Sequence, residues 1–116
     1  MLTTVAYVPG QDTDAFRSAV TNEVTGTGYT TGGQSVTGKS VTYDAVSNEL
    51  RLLHADVAWP AATITGIRVA VLYKATGLAT TDPLLGYAVL DGDNAVTNGT
   101  FTLDVDATAV LRITAA

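Results

Sequence analysis

The chain has no cysteine, one histidine, one tryptophan and one methionine in 116 residues, and only 15% of it is charged. Each shortage excludes something. Without cysteine there is no disulfide, no thiolate metal site and no thiol nucleophile. His54 is the single histidine, and no nucleophile-elbow sequence accompanies it. A histidine base needs both a nucleophile and an orienting carboxylate, so His54 reads as a structural or surface residue and no catalytic residue is expected. The six basic residues, Arg17, Lys39, Arg51, Arg68, Lys74 and Arg112, are scattered along a chain of net charge −5. Phosphate backbones demand clustered Lys and Arg, so nucleic acid is not an expected partner. No run approaches the roughly 20 apolar residues of a membrane span, so no membrane partner is expected either. Met1-Leu2-Thr3-Thr4-Val5 has no basic residue followed by an apolar run, and so does not read as a signal peptide.

The shortage of charge says most. An ordinary soluble domain is about 25% charged, and a small domain has much surface for its volume. Here 47% of the residues are hydrophobic instead. A surface so poor in charge points to one that is covered, by copies of the chain or by another protein. The length fits one domain, over residues 1–116.

The pattern that remains is that of β-structure. Residues 2–8 read as a strand or extended arm, within a segment 1–10 that Pro9-Gly10 closes. Asp12 to Val20 is the one candidate helix, of one or two turns, with Phe16, Ala19 and Val20 on a common face. Gly26, Gly28, Gly32 and Gly33 crowd the loop from Asn22 to Gln34. Period-two alternation then begins. Val41 and Tyr43, a turn over Asp44–Asn48, and Leu50 and Leu52 make a β-hairpin pattern. Trp59-Pro60 reads as a break. Ile67, Val69, Val71 and Tyr73 face one way, and Leu85, Tyr87 and Val89 form the next inward set. Asp91-Gly92-Asp93-Asn94 and Asn98-Gly99 punctuate a connection before Phe101, Leu103 and Val105, and Leu111 and Ile113 close the chain. Six or seven short strands without a strand–helix–strand rhythm predict an all-β fold. It should be a mainly antiparallel β-sandwich or small barrel with at most one short N-terminal helix.

Few residues suggest chemistry. Asp91, Asp93 and Asn94 resemble the start of a calcium loop, but Ala95 and Thr102 stand where further ligands belong, and turn chemistry explains the acids. Asp104 and Asp106 alternate on the outer face of a strand. The glycine loop lacks the following helix and the lysine of a phosphate cradle, which leaves a tightly turned interface loop. Asn98-Gly99-Thr100 reads as a hairpin turn rather than a glycosylation site. No metal and no cofactor is expected. Trp59 and Tyr29 each admit a core reading and an interface reading, tryptophan being enriched at binding hot spots. Leu72, Leu84, Leu90 and Val110 lie on strand faces opposite the expected core set, and Tyr29, Trp59, Leu72 and Leu84 are the candidate interface residues.

The order of several blocks resembles a known group. Asn22-Glu23-Val24-Thr25-Gly26-Thr27-Gly28-Tyr29-Thr30-Thr31-Gly32-Gly33 precedes Val41-Thr42-Tyr43-Asp44. Val57-Ala58-Trp59-Pro60-Ala61-Ala62-Thr63-Ile64, Ala70-Val71-Leu72-Tyr73-Lys74-Ala75-Thr76-Gly77 and Asp82-Pro83-Leu84-Leu85-Gly86-Tyr87 follow, then Val96-Thr97-Asn98-Gly99-Thr100-Phe101 and Leu111-Arg112-Ile113-Thr114. From Asn22 onward this order resembles the small virion structural proteins of tailed bacteriophages, of the head decoration or cement type. The resemblance implies a non-enzymatic protein on the capsid surface that binds the major capsid protein and assembles with itself, as a homotrimer. A tail-associated receptor- or carbohydrate-binding module is the alternative.

Overall fold

The computed structural model describes residues 1–114. They form an all-β, antiparallel architecture of two sheets, in keeping with the expected sandwich class. The strands are β1 (Leu2–Thr3), β2 (Gly26–Thr27), β3 (Ser40–Asp44), β4 (Glu49–Leu53), β5 (Val57–Tyr73), β6 (Leu84–Leu103) and β7 (Leu111–Thr114). In the larger sheet β5 is central. β6 runs along one of its edges, and β1 and β2 follow each other along the other. The smaller sheet has the order β3-β4-β7.

The candidate helix at Asp12–Val20 is reduced to one 3-10 turn, Arg17–Ala19. Its amides are spent elsewhere: Arg17 N–H donates to the Asp82 carbonyl and Ser18 N–H to that of Ala79. An amide so engaged cannot also build a helical ladder.

β5 and β6 are far longer than the short strands expected from the turn signals. The chain does not break at Trp59-Pro60, nor turn at Asp91–Asn94 or Asn98-Gly99. It bulges there instead. Pairing is Trp59 with Phe101, Ala62 with Gly99, Ile64 with Val96, Ile67 with Asn94 and Val69 with Val89, so the register shifts at every step. Between those pairs lie Ala61 (φ 49°), Asn98 (φ 49°), Gly66 (φ 69°) and Gly92 (φ 68°). One left-handed residue in each interval is how a ladder absorbs an extra residue and still resumes pairing. Pro60, which has no amide hydrogen, falls inside the first bulge, where no ladder bond is lost. Asn98 N–H finds Thr63 Oγ1 at 2.9 Å in place of a ladder carbonyl.

Because strands flank β5 on both edges and packing covers both its faces, it carries the core. Val57, Trp59, Ala62, Ile64, Ile67 and Ala70 join Leu2 and Val24 in one cluster, against which Tyr29, Phe101 and Leu103 pack. Tyr7, Val69 and Val71 form a second, with Met1, Val20 and Leu84 against it. Ala70 and Val71 are neighbours on one strand and so point to opposite faces, which places the clusters on the two sides of the sheet. The N-terminal segment is therefore not a free arm: Leu2 and Thr3 are fully buried against Ala70 and Val69, and Tyr7 is buried beyond them. β2 approaches β5 so closely that a Cβ on Gly26 would lie 2.1 Å from the Thr63 carbonyl oxygen.

Trp59 is the largest buried side chain, 2% exposed, and its ring packs between Tyr29 (centroids 6.2 Å apart) and Phe101 (5.9 Å). Its Nε1 is buried without a hydrogen-bond partner. Trp59→Ala is expected to cost about 3–5 kcal/mol, the usual range for emptying an aromatic site. Trp59→Phe should cost clearly less, because it keeps aromatic packing and removes the orphaned donor. Denaturant titration of both variants checks the order.

Candidate functional site

The inward set expected on β6 is the main departure in the burial pattern. Leu85, Tyr87 and Val89 are exposed. Tyr87 pairs with Val71 and Val89 with Val69, so they lie on the correct face. The N-terminal segment that covers this face stops over β5 and leaves the edge strand bare. Leu84 and Leu90, expected on the outer face, instead pack against the second and first clusters. A cleft of about 390 Å³ runs beside the stripe, lined by residues that include Tyr7, Gly10, Asp14, Val71, Leu84 and Tyr87. Its polar corner is closed: Asp14 Oδ2 accepts from the Tyr7 hydroxyl and from Gly10 N–H, each at 2.9 Å. Burial, with the Asp14 carboxylate, pushes the Tyr7 phenol up to about 12.

The small sheet presents a second apolar surface. Val41 pairs with Leu52, Tyr43 with Leu50, Leu50 with Ile113 and Leu52 with Leu111. Directly paired residues share a face, so all six lie together. Nothing in the described chain covers them: Val41 is 64% and Ile113 58% exposed. The opposite face carries the charge, where Arg51 bridges Asp44 at 2.9 Å and Glu49 at 2.8 Å. The alternation of this sheet is legible in the sequence. What alternation does not reveal is that, among the described residues, no segment packs on its apolar side.

The candidate interface residues are scattered through the molecule. Trp59 has no surface to offer a partner and takes the core reading. Tyr29 is partly buried in the same cluster, and its hydroxyl accepts from Leu2 N–H at 2.9 Å and donates to Glu23 Oε1 at 2.7 Å. Burial first, and then the Glu23 carboxylate, raise its phenol above the ordinary tyrosine range. Glu23 Oε1 also accepts from Gly32 N–H, and the Tyr73 hydroxyl donates to the Gly32 carbonyl at 2.7 Å. The glycine loop is thereby pinned to the sheet rather than projected from it. Leu72 and Leu84 are half-buried on β5 and β6.

One polar cluster is buried. Arg17 Nε donates to Asp82 Oδ2 at 2.7 Å, and the guanidinium stacks 5.1 Å from the Tyr73 ring centroid. Asp82 Oδ1 accepts from Thr76 N–H at 2.6 Å and from the Thr76 hydroxyl at 3.0 Å. The Thr76 amide and the Arg17 guanidinium hold the Asp82 carboxyl below the usual range, against the opposing effect of burial. The arrangement ties the 74–83 loop to the 3-10 turn around the buried Asp82 carboxylate, with Arg17 and Thr76 reaching it from the surface. The other singled-out residues form no site. His54 Nδ1 donates to the Ala55 carbonyl at 2.7 Å. Asp93 reaches Arg68 only at 4.0 Å. Asp106 accepts from the amide and hydroxyl of Thr108. Among the described residues no three His, Cys, Asp or Glu side chains converge as metal ligands.

No protein-family model, curated protein or solved structure gives a significant match to the chain.

Asp82→Asn is expected to lower the melting temperature at neutral pH, since it leaves Arg17 facing a neutral amide. A carboxyl with a depressed pKa contributes stability above its unfolded value, near 3.9, and that contribution is lost as pH falls through the lower folded value. The gap between wild type and Asp82→Asn should therefore shrink as pH drops below about 4. Thermal melts from pH 7 to pH 2 check it.

Proposed function

We propose that this chain is a non-enzymatic, homo-oligomeric structural protein that decorates and stabilises the exterior of a tailed-bacteriophage head, with the major capsid protein as its partner. The observation that carries the assembly part is the small sheet, whose apolar face exposes Val41, Tyr43, Leu50, Leu111 and Ile113 around a half-buried Leu52. A monomer's largest apolar patch is ordinarily about 300–600 Å², and patches toward or above that size mark interaction sites. The exposed stripe of Leu85, Tyr87 and Val89, well separated in sequence, supports a second contact. The placement on a phage head rests on the ordered blocks from Asn22 to Thr114.

The mechanism is mechanical. A trimer bound across junctions between capsid subunits adds buried area that opposes outward pressure on the shell. Affinity per copy can stay modest, because linked copies rebind at high effective concentration. A bulged, twisted ladder anchored on Trp59 suits this work, since it holds its contact surfaces in fixed relation.

Light scattering of the purified protein should give the mass of a trimer, and co-sedimentation with empty, undecorated heads should show saturable binding. A monodisperse monomer without affinity for heads contradicts the reading. Density on tails rather than heads in electron micrographs replaces it with the tail-module alternative.

A further inference from the structure

We propose that the apolar face of β3-β4-β7 is the seam between copies of this chain, with identical faces meeting at the symmetry axis of the oligomer. The inference rests on the homo-oligomeric reading above and assigns it a surface.

The first support is the isolation of the sheet. Among the described residues, none from β3, β4 or β7 belongs to either core cluster or packs against it. The sheet hangs from the Val57–Leu103 end of the long hairpin by two links: Ala55 N–H to the Thr37 carbonyl and Val105 N–H to Asp56 Oδ1. A three-stranded sheet with a hydrophobic face stands near the threshold of independent stability, and taking that face out of water adds to it. A second copy of the chain is a cover that is present wherever the chain folds.

The second support is charge. All the ionised side chains of the sheet, Asp44, Glu49, Arg51 and Arg112, stand on the far face. A chain of net charge −5 would repel its copies through most of its surface, but not through this face, which carries no charge at all. A partner recognised by charge would find nothing here to read. The one polar group, the Tyr43 hydroxyl, is turned to Asn48 Oδ1 at 2.6 Å, beside the hairpin turn.

The third support is area and shape. Leu50 and Leu52 lie on the central strand, in the middle of the face, beside a hollow of about 200 Å³ lined only by Val41, Leu50, Leu52, Leu111 and Ile113. Val41, Tyr43, Leu50, Leu111 and Ile113 are 42–64% exposed and Leu52 is half-buried, so the face offers on the order of 500 Å² per copy. Three such faces converging on a threefold axis together remove about 1,500 Å² from water, within the range of specific interfaces. Around such an axis each face meets the other two, so the side chains of three sheets of the same length and chemistry interdigitate in one shared core.

The chain is free of native cysteine, which makes both tests clean. Leu50→Asp should convert the oligomer to monomer by light scattering while keeping the far-UV spectrum and the Trp59 fluorescence of the folded chain. Leu85→Asp, an equivalent change on the exposed stripe of β6, should leave the mass unchanged. An oligomer of wild-type mass in Leu50→Asp overturns the inference. Should Leu50→Asp not fold, Leu50→Cys decides. Under mild oxidation it should form a disulfide-linked pair at least about tenfold faster than Val46→Cys, which lies on the exposed hairpin turn, because a shared seam raises effective concentration. Equal rates overturn the inference. If wild-type protein is a monomer, the oligomeric reading itself fails; if it is an oligomer without preferential cross-linking at Leu50, only the assignment of the seam fails.

Discussion

Everything in this molecule hangs on β5, the strand with neighbours on both edges and packing on both faces. Trp59, Ala62, Ile64, Ile67 and Ala70 supply one core cluster, and Val69 and Val71 begin the other. Two short strands, β1 and β2, suffice on one edge because they dock end to end against a strand already held by β6 along the other. The left-handed residues Ala61, Gly66, Gly92 and Asn98 let a 17-residue and a 20-residue strand stay paired while twisting enough to wrap a core. A flat ladder of that length would expose its apolar residues on one side or the other.

Around this ladder, polar contacts rather than further strands fix the irregular half of the chain. Glu23 holds Tyr29 and Gly32, Tyr73 holds the Gly32 carbonyl, and Arg17 joins Asp82 to the same ring. The glycines there serve close approach: β2 can lie against Thr63 only because residue 26 has no side chain. A loop built this way is held in place although many of its residues are exposed, and the apolar surface left uncovered lies on the small sheet and on β6.

The fold class was legible in the sequence, and so was the β3–β4 hairpin, whose expected partners, Val41 and Tyr43 with Leu50 and Leu52, pair across it. What alternation could not convey was continuity. Pro60, Asp91-Gly92 and Asn98-Gly99 are ordinary turn signals, and only the opposing strand reveals that they bulge instead. Burial was legible where both faces of a strand are covered, as at Val69 to Val71, and misleading on the edge strand. There Tyr87 and Val89 share the face of Val71 and Val69 but lie beyond the reach of the N-terminal segment. Leu2 and Tyr7, expected in an extended arm, are core residues because their partners come from some 70 residues away, a separation that no local pattern encodes. The same limit applies to the candidate interface residues, of which Trp59 alone is fully buried. Trp59 was singled out for its type and is a core residue, whereas the exposed face of Val41, Tyr43, Leu50, Leu111 and Ile113 emerges only from the tertiary packing of the described residues.

Under the proposed assembly the molecule divides into a part that one chain completes, around β5, and a part that a second copy completes, the small sheet. Amide hydrogen exchange at high and low protein concentration tests that division directly. The account predicts that amides of β5 exchange at the same slow rate at both concentrations, whereas those of β3, β4 and β7 lose protection on dilution as the oligomer dissociates. Small-sheet amides equally protected in monomer and oligomer would contradict it.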